Sequence, residues 1–426
     1  MRLDPYVVQG VPRRYRLGMT LFWWYGVLIS ISSAFVDNFV TLFVLALGAT
    51  SLQVGTLSSL SSFLGMLMPL PGAQWAARWG KLKPVVVISY GLRYGVLLLA
   101  ALVPFVLSGS AAVYVIIGLF ALRAAFLHLG NSPWTSLAGQ IVPQNRWGRY
   151  FSSRKMVMAL ASLIFVPLAG QMIGVFPEPL GYQIGLGLAV VWGVLALIFF
   201  ARIPEEAGKP ATASGRTNFA FWRALSDNRA FWQFTLISMF FHFVWQFAGP
   251  YFGVYQVEGL GATSRVIGWL AIVSSLARMA GQAVWGRTVD QRGSQWVFTL
   301  CMLLIPIIPF IWLPLTAAWQ VIFVNIPSGF LWAGQETGNF NLILGLAGKD
   351  GRTEEQKTQA IASYHTLVAI ANILGPLAGG FVIEAIGYKW AFALSGFGRL
   401  AAAILFLMLL KPFDLRRLGR RKPVMP

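Results

Sequence analysis

Long apolar runs, separated by short polar stretches, occupy most of this chain. Crossing a hydrocarbon core about 30 Å thick takes roughly 20 apolar residues per helix, and these runs reach that length repeatedly. They predict helices near 18–46, 51–77, 83–108, 111–139, 148–175 and 180–203, then near 228–256, 264–291, 294–314, 317–346, 357–386 and 388–411. Residues 204–227, rich in Gly, Ala, Ser, Thr and charge, read as a linker. Residues 1–17 and the Arg-rich 412–426 read as solvated ends. The expected fold is an all-α polytopic membrane protein of about twelve transmembrane helices, in bundles 18–203 and 228–411. Pro69, Pro71, Pro167, Pro250 and Pro376 fall inside or near the ends of these runs. Neighbouring helices can re-satisfy the carbonyls that such prolines free.

The two sets of helices are related. LGATS at 47–51 returns at 260–264, an offset of 213 residues that also carries Gly55 onto Gly268 and Gly80 onto Gly293. Further on the offset is 209: VPLAG at 166–170 lies over GPLAG at 375–379, and LAG at 137–139 over LAG at 346–348. Several matches at two offsets read as an internal repeat with a small loop deletion, hence two pseudo-symmetric six-helix halves.

Hydrophobic residues make up 57% of the chain and charged residues 11%. A soluble domain carries about twice that charge. The net charge of +19 does not point to nucleic acid, because the basic residues cluster in alternate loops rather than on one face. This positive-inside pattern puts both termini in the cytoplasm of a multi-pass protein of the cell (inner) membrane. Arg265 and Lys389 are exceptions to it. The single cysteine, Cys301, permits no internal disulfide, and no metal cluster or cofactor is expected. The first apolar run is too long for a cleavable signal. Walker A, Gly-x-Ser-x-Gly and His-Glu-x-x-His patterns are missing, so an enzyme is not expected and energy would come from a gradient.

Four motifs then carry a family resemblance. Residues 286–293, GRTVDQRG, follow the predicted eighth helix as Gly, three residues, Asp290, two residues, Gly293. Residues 72–81, GAQWAARWGK, repeat the pattern after the second helix in degraded form, with Ala77 in place of the Asp and Ala73 in place of the first Gly. Arg123 lies in the fourth helix and is followed by VPQNRWGR at 142–149. GPLAGG at 375–380 precedes GYKWAF at 387–392. In this order, on a repeat, they resemble the major facilitator superfamily over roughly 20–410. The resemblance implies alternating access, two halves rocking about a substrate site near the midplane. It implies no particular substrate.

Ionisable groups inside a membrane helix suggest function. Asp37 and Arg123 lie at depths that differ by roughly 5 Å on straight helices of 1.5 Å rise. They are candidates for a proton-linked carboxylate and its partner, with Asn38 a possible substrate contact; a purely structural ion pair is the competing reading. Arg278 and Glu336 repeat the arrangement in the second half. Gln335, Asn339 and Asn341 surround Glu336, while His242 and Gln246 share a helix face near Trp245, Tyr251 and Tyr255. Such amides and aromatics suit sugars or amphiphiles, although Trp and Tyr also belong at membrane interfaces. Arg93 and His365 are weaker candidates; Arg93 is expected to pair or to snorkel. In the resembled family the loop motif latches one side shut, which assigns Arg78, Gly80, Gly286, Asp290, Arg292 and Gly293, and makes the second copy dominant because Ala77 cannot replace a carboxylate. Gly375, Pro376, Gly379 and Gly380 read as helix packing.

The expected function is a proton-coupled secondary transporter of a small molecule, acting as a monomer, with the bilayer and protons as its other partners. The alternatives are a passive facilitator and a non-transporting membrane sensor or assembly factor of the same fold. The retained membrane charges and the short linker favour transport.

Overall fold

Inside hydrocarbon each backbone N–H and C=O must be satisfied by the segment itself, so a chain this apolar is driven to helix. A computed structural model describes residues 8, 13–143, 146–205, 229–347 and 354–410, and among them no strand occurs. The predicted tail 412–426, the linker from 206 to 227 and most of the segment before Arg13 lie outside the described residues. The helices are α1 (Arg13–Ala34), α2 (Val40–Ala46), α3 (Ser51–Leu67), α4 (Pro69–Trp79), α5 (Lys83–Val106), α6 (Gly109–Ile141), α7 (Trp147–Ile173) and α8 (Leu180–Ala201). They continue with α9 (Arg229–Ala248), α10 (Tyr251–Glu258), α11 (Ser264–Arg292), α12 (Ser294–Leu304), α13 (Ile307–Ile311), α14 (Ile322–Ala347), α15 (Glu354–Ile386) and α16 (Tyr388–Leu410).

Ten spans are long and apolar enough to cross a membrane. The other two predicted spans, near 228–256 and 317–346, are helical over 229–248, 251–258 and 322–347 but are diluted by polar residues, among them His242, Gln246, Gln335 and Glu336. Large apolar side chains stand outward along the spans: Val106 is 82% exposed, Met408 67% and Phe397 61%. A soluble surface rarely exposes apolar patches on this scale, whereas lipid solvates them without cost. The protein is a multi-pass membrane protein.

Four predicted spans are not continuous, among them the span near 51–77, which is divided at Met68. The span near 18–46 stops at Ala34 and resumes at Val40. Between them the chain tightens to three-residue turns, Phe35 N–H to Ser32 O at 3.3 Å, Val36 to Ser33 at 3.1 Å and Phe39 to Val36 at 2.9 Å. The span near 228–256 is divided at Gly249–Pro250, where proline has no N–H to continue the ladder. An offset of 213 carries residue 37 onto residue 250, so the two breaks occupy matching places in the repeat. The ninth predicted span is also divided, by Pro306 between α12 and α13.

The chain forms two compact units, one of residues 1–215 with 263–269, the other of 216–262 with 270–426. In the first, Phe22 of α1 sits among the rings of Tyr25, Trp134, Tyr150 and Phe200. The Arg154 guanidinium lies over Phe22 at 4.5 Å and near Tyr25 and Trp134, and its Nε donates to the Phe22 carbonyl at 3.2 Å. A Cβ on Gly26 would stand 2.7 Å from that Nε, so this buried cation needs a glycine opposite it. Ser32 Oγ ties α1 to α8 through the Ala189 carbonyl at 2.6 Å.

In the second unit the broken pair α9–α10 is held from two sides. On α15, added Cβ atoms at Gly375 and Gly379 would lie 2.7 Å from the Phe243 carbonyl oxygen and 1.8 Å from that of Phe247. Small residues here let two backbones touch. On α16, Ser395 Oγ donates to the Val244 carbonyl at 2.5 Å. Arg399, 1% exposed, donates to Ser395 Oγ at 3.2 Å and to the Trp245 carbonyl at 3.5 Å.

Candidate functional site

Asp37 and Asn38 lie in the interruption between α1 and α2, and both are exposed. The Asp37 backbone N–H donates to the Ser33 carbonyl at 2.9 Å. Close to the middle of α6, Arg123 donates through Nη2 to Asp37 Oδ1 at 3.2 Å. The pair is asymmetric: the Asp37 side chain is 56% exposed and that of Arg123 12%. Arg123 Nε is buried without a hydrogen-bond partner among the described residues. The break therefore brings together two groups that straight helices would hold at different depths.

Further along α6, Asn131 accepts from Tyr90 of α5 at 3.2 Å, and its amide meets His128 Nδ1 at 3.4 Å. These three residues were not singled out from the sequence. Their signal was available, since His128, Asn131 and Thr135 recur at three and four residues on an otherwise apolar helix. Arg93 of α5 departs from its expectation. It is 5% exposed, so it does not snorkel, and it has no ion pair among the described residues.

In the second unit Arg278 Nη1 donates to Glu336 Oε1 at 2.8 Å, with the side chains 44% and 53% exposed. Asn339 Nδ2 donates to the Tyr364 hydroxyl at 3.3 Å, and Asn341 Nδ2 to the Thr337 carbonyl at 3.1 Å. Gln335 is buried beside Glu336. His242 Nδ1 lies 2.8 Å from the Ser238 carbonyl, a contact that requires Nδ1 to carry the proton and leaves Nε2 as the neutral ring's acceptor. Trp245 bridges His242 and Trp332, with ring centroids at 5.5 and 4.5 Å. Gln246 turns toward the break, its Oε1 2.8 Å from where a Cβ on Gly249 would stand. Tyr251 is fully buried and its hydroxyl donates to the Pro376 carbonyl, which ties α10 to α15. Gly380 is buried on the same helix.

Of the loop residues, Gly80 and Gly293 have φ of 63° and 87°. Other residues rarely adopt that conformation, which accounts for glycine at the end of both copies of the motif. Arg78 and Asp290 are exposed, Gly286 is open to added atoms, and Arg292 lies over the Trp296 ring at 4.6 Å. Within its own unit Asp290 has no ion pair among the described residues.

The family model of the Major Facilitator Superfamily matches residues 22–354 and 243–424. The MFS-type transporter pgmG of Aspergillus terreus is 22% identical over 149 residues, 35% of this chain and 26% of its own. The MFS-type transporter SLC18B1 of Homo sapiens is 22% identical over 169 residues, 37% of each chain. The chain spans well under two thirds of either relative's length. Among solved structures, the nucleoside transporter NupG aligns over 91% of this chain and 99% of its own, with TM-score 0.70 and 12% identity. A bacterial homolog to the human lysosomal transporter Spinster, inward-facing and occupied, aligns over 95% and 98%, also with TM-score 0.70 and 12% identity. At that identity the likeness to these two is one of fold. Motif order, repeat, helical architecture and a family match across the chain agree, and the protein belongs to the major facilitator superfamily.

Proposed function

We propose that this protein is a secondary transporter of a small molecule, working by alternating access and coupled to protons through Asp37. The observation that carries this reading is the Asp37–Arg123 pair at the break in the first span. Discontinuous membrane helices place free backbone groups and polar side chains at the depth where transporters of this kind bind. Asp37 is open to solvent while Arg123 is not, so a proton or a substrate can reach the acid without dismantling the protein. Arg278–Glu336 supplies a second, self-neutralised pair, and Asn38, His242, Gln246, Gln335 and Asn339 supply uncharged hydrogen-bonding groups. Both termini and the linker 204–227 are assigned to the cytoplasm by the alternating basic loops.

The test is uptake. The purified full chain goes into proteoliposomes, and a ligand that stabilises it against heat, by binding the native state, is offered with and without an imposed pH gradient. Accumulation above equilibrium only with the gradient is expected. Equilibration that ignores the gradient would make the protein a facilitator, and no flux above protein-free vesicles would remove transport altogether.

The loop carboxylate gives a further expectation. Asp290→Asn should slow transport by roughly tenfold, because a carboxylate meeting a helix N-terminus is a charge–dipole contact that an amide makes only weakly. Ala77→Asn should change it little. Equal rates for Asp290→Asn and wild type in the same vesicles would dismiss the latch.

A further inference from the structure

Arg93 is the one mid-membrane cation of the first unit that the fold leaves uncompensated. Three arginines along that unit's spans are largely withdrawn from solvent among the described residues: Arg93 and Arg154, 5% and 6% exposed, and Arg123, with its side chain 12% exposed. Asp37, in the break of the first span, is the single acid among residues 13–177, and it is committed to Arg123. Arg154 is supplied differently, with three aromatic faces and a backbone carbonyl. Arg93 has neither. It is 5% exposed, near the middle of α5, and its Nε is sealed from solvent without a hydrogen-bond partner among the described residues. Its one recorded contact is the ring of adjacent Tyr94, 5.4 Å away. It stands within electrostatic reach of Arg123, His128, Tyr90 and Tyr94.

A buried guanidinium without a counter-charge is expensive, and such groups inside a membrane mark substrate paths. We propose that the cluster Arg93–Arg123–Asp37 is a subsite for a single carboxylate, so that the transported solute is an organic monoanion. This rests on the transporter reading above and narrows its substrate. Two cations against one acid leave one positive charge, which a carboxylate cancels; a phosphate dianion would overshoot. A planar guanidinium with several N–H donors matches a carboxylate in two-point fashion. The rings of Tyr94 and Phe120, 5.4 Å from the Arg93 guanidinium and 5.9 Å from that of Arg123, favour an apolar or aromatic body on the anion. A lipid headgroup is the other source of such a charge, but Arg93 lies mid-span, far from the headgroup layer.

The test is thermal unfolding of the purified full chain at pH 8 with three matched probes: phenylacetate, phenylacetamide and phenyl phosphate. Phenylacetate should raise the midpoint, while phenylacetamide and phenyl phosphate should not. Arg93→Gln should lose at least about tenfold in apparent phenylacetate affinity, and Arg93→Lys should keep part of it, as a point charge replaces a fork. Asp37→Asn, which leaves two uncompensated cations, should gain a response to phenyl phosphate. That switch of charge class is one that a merely structural arginine would not produce, and it stands even if Arg93→Gln fails to fold. A phenylacetamide response equal to that of phenylacetate would overturn the proposal, as would an unchanged phenylacetate response in Arg93→Gln. Stabilisation by phosphatidylglycerol in place of phenylacetate, lost in Arg93→Lys, would assign the site to lipid and overturn it too. Gradient-driven uptake of an uncharged solute, with no response to phenylacetate, would remove the anion assignment and leave the transporter reading intact.

Discussion

Asp37→Asn is expected to abolish accumulation driven by a pH gradient, by roughly tenfold or more, while exchange of substrate across the same vesicles continues, because a ligand shifts a two-state equilibrium only through its differential affinity. Moving a cation toward or away from a carboxylate changes the carboxylate's affinity for a proton. Asparagine removes the proton site but keeps an oxygen that Arg123 can use. Arg123→Ala should damage binding and coupling together. Their effects on stability should run the other way. Arg123 is 12% exposed, so losing Asp37 strands a nearly buried cation; Asp37 is 56% exposed, so losing Arg123 strands an acid that water already reaches. Removing one partner of a fully buried pair costs about 3–5 kcal/mol, and an exposed pair contributes about 1 kcal/mol or less. The cost of either change here falls between those limits, nearer the lower for Arg123→Ala. Full accumulation by Asp37→Asn would clear Asp37 and direct attention to Glu336.

Gly379→Val is expected to leave little folded protein in detergent extracts. The added Cβ would stand 1.8 Å from the Phe247 carbonyl oxygen, and backbone cannot step aside as a side-chain tip can. Overpacking of a close-packed interior costs about 1–3 kcal/mol, and a clash with backbone belongs at or above the top of that range. Gly72, whose Cβ would stand 1.8 Å from the Leu129 carbonyl oxygen, should behave the same way. Gly187 is the control, with nothing within 4 Å of the added atom. Gly187→Ala should be neutral or raise the midpoint, since alanine in a helix is favoured over glycine by about 0.5–1 kcal/mol. A Gly379→Val protein that melts with wild type would show that α9 and α15 are not in contact there.

Much of this architecture was legible before any coordinates. Span lengths, the repeat and the alternating basic loops predicted helices whose ends moved by only a few residues. The breaks were less visible, for a specific reason. Gly249–Pro250 announces itself, because proline cannot donate to the ladder. The matching break at 35–39 contains neither glycine nor proline; Asp37–Asn38 is the whole signal, and these side chains compete with helical hydrogen bonds without forbidding them. Pairing was less legible still. Arg93 and Arg123 are both mid-span arginines in the sequence, and only their surroundings separate a cation with an acid at 3.2 Å from one without.

The break at 35–39 has one more consequence, for how protons arrive. The Asn38 N–H has no acceptor among the described residues. Hydrocarbon does not tolerate a bare amide, so water must hydrate this turn. The Asp37 side chain is itself 56% exposed, so under the coupling proposed above hydronium or buffer would deliver a proton to the carboxylate directly. No chain of relaying side chains has to be conserved or assembled. Solvent isotope effects on coupling should accordingly be those of a single transfer from water, and the amides of 35–39 should exchange deuterium ahead of those in α1.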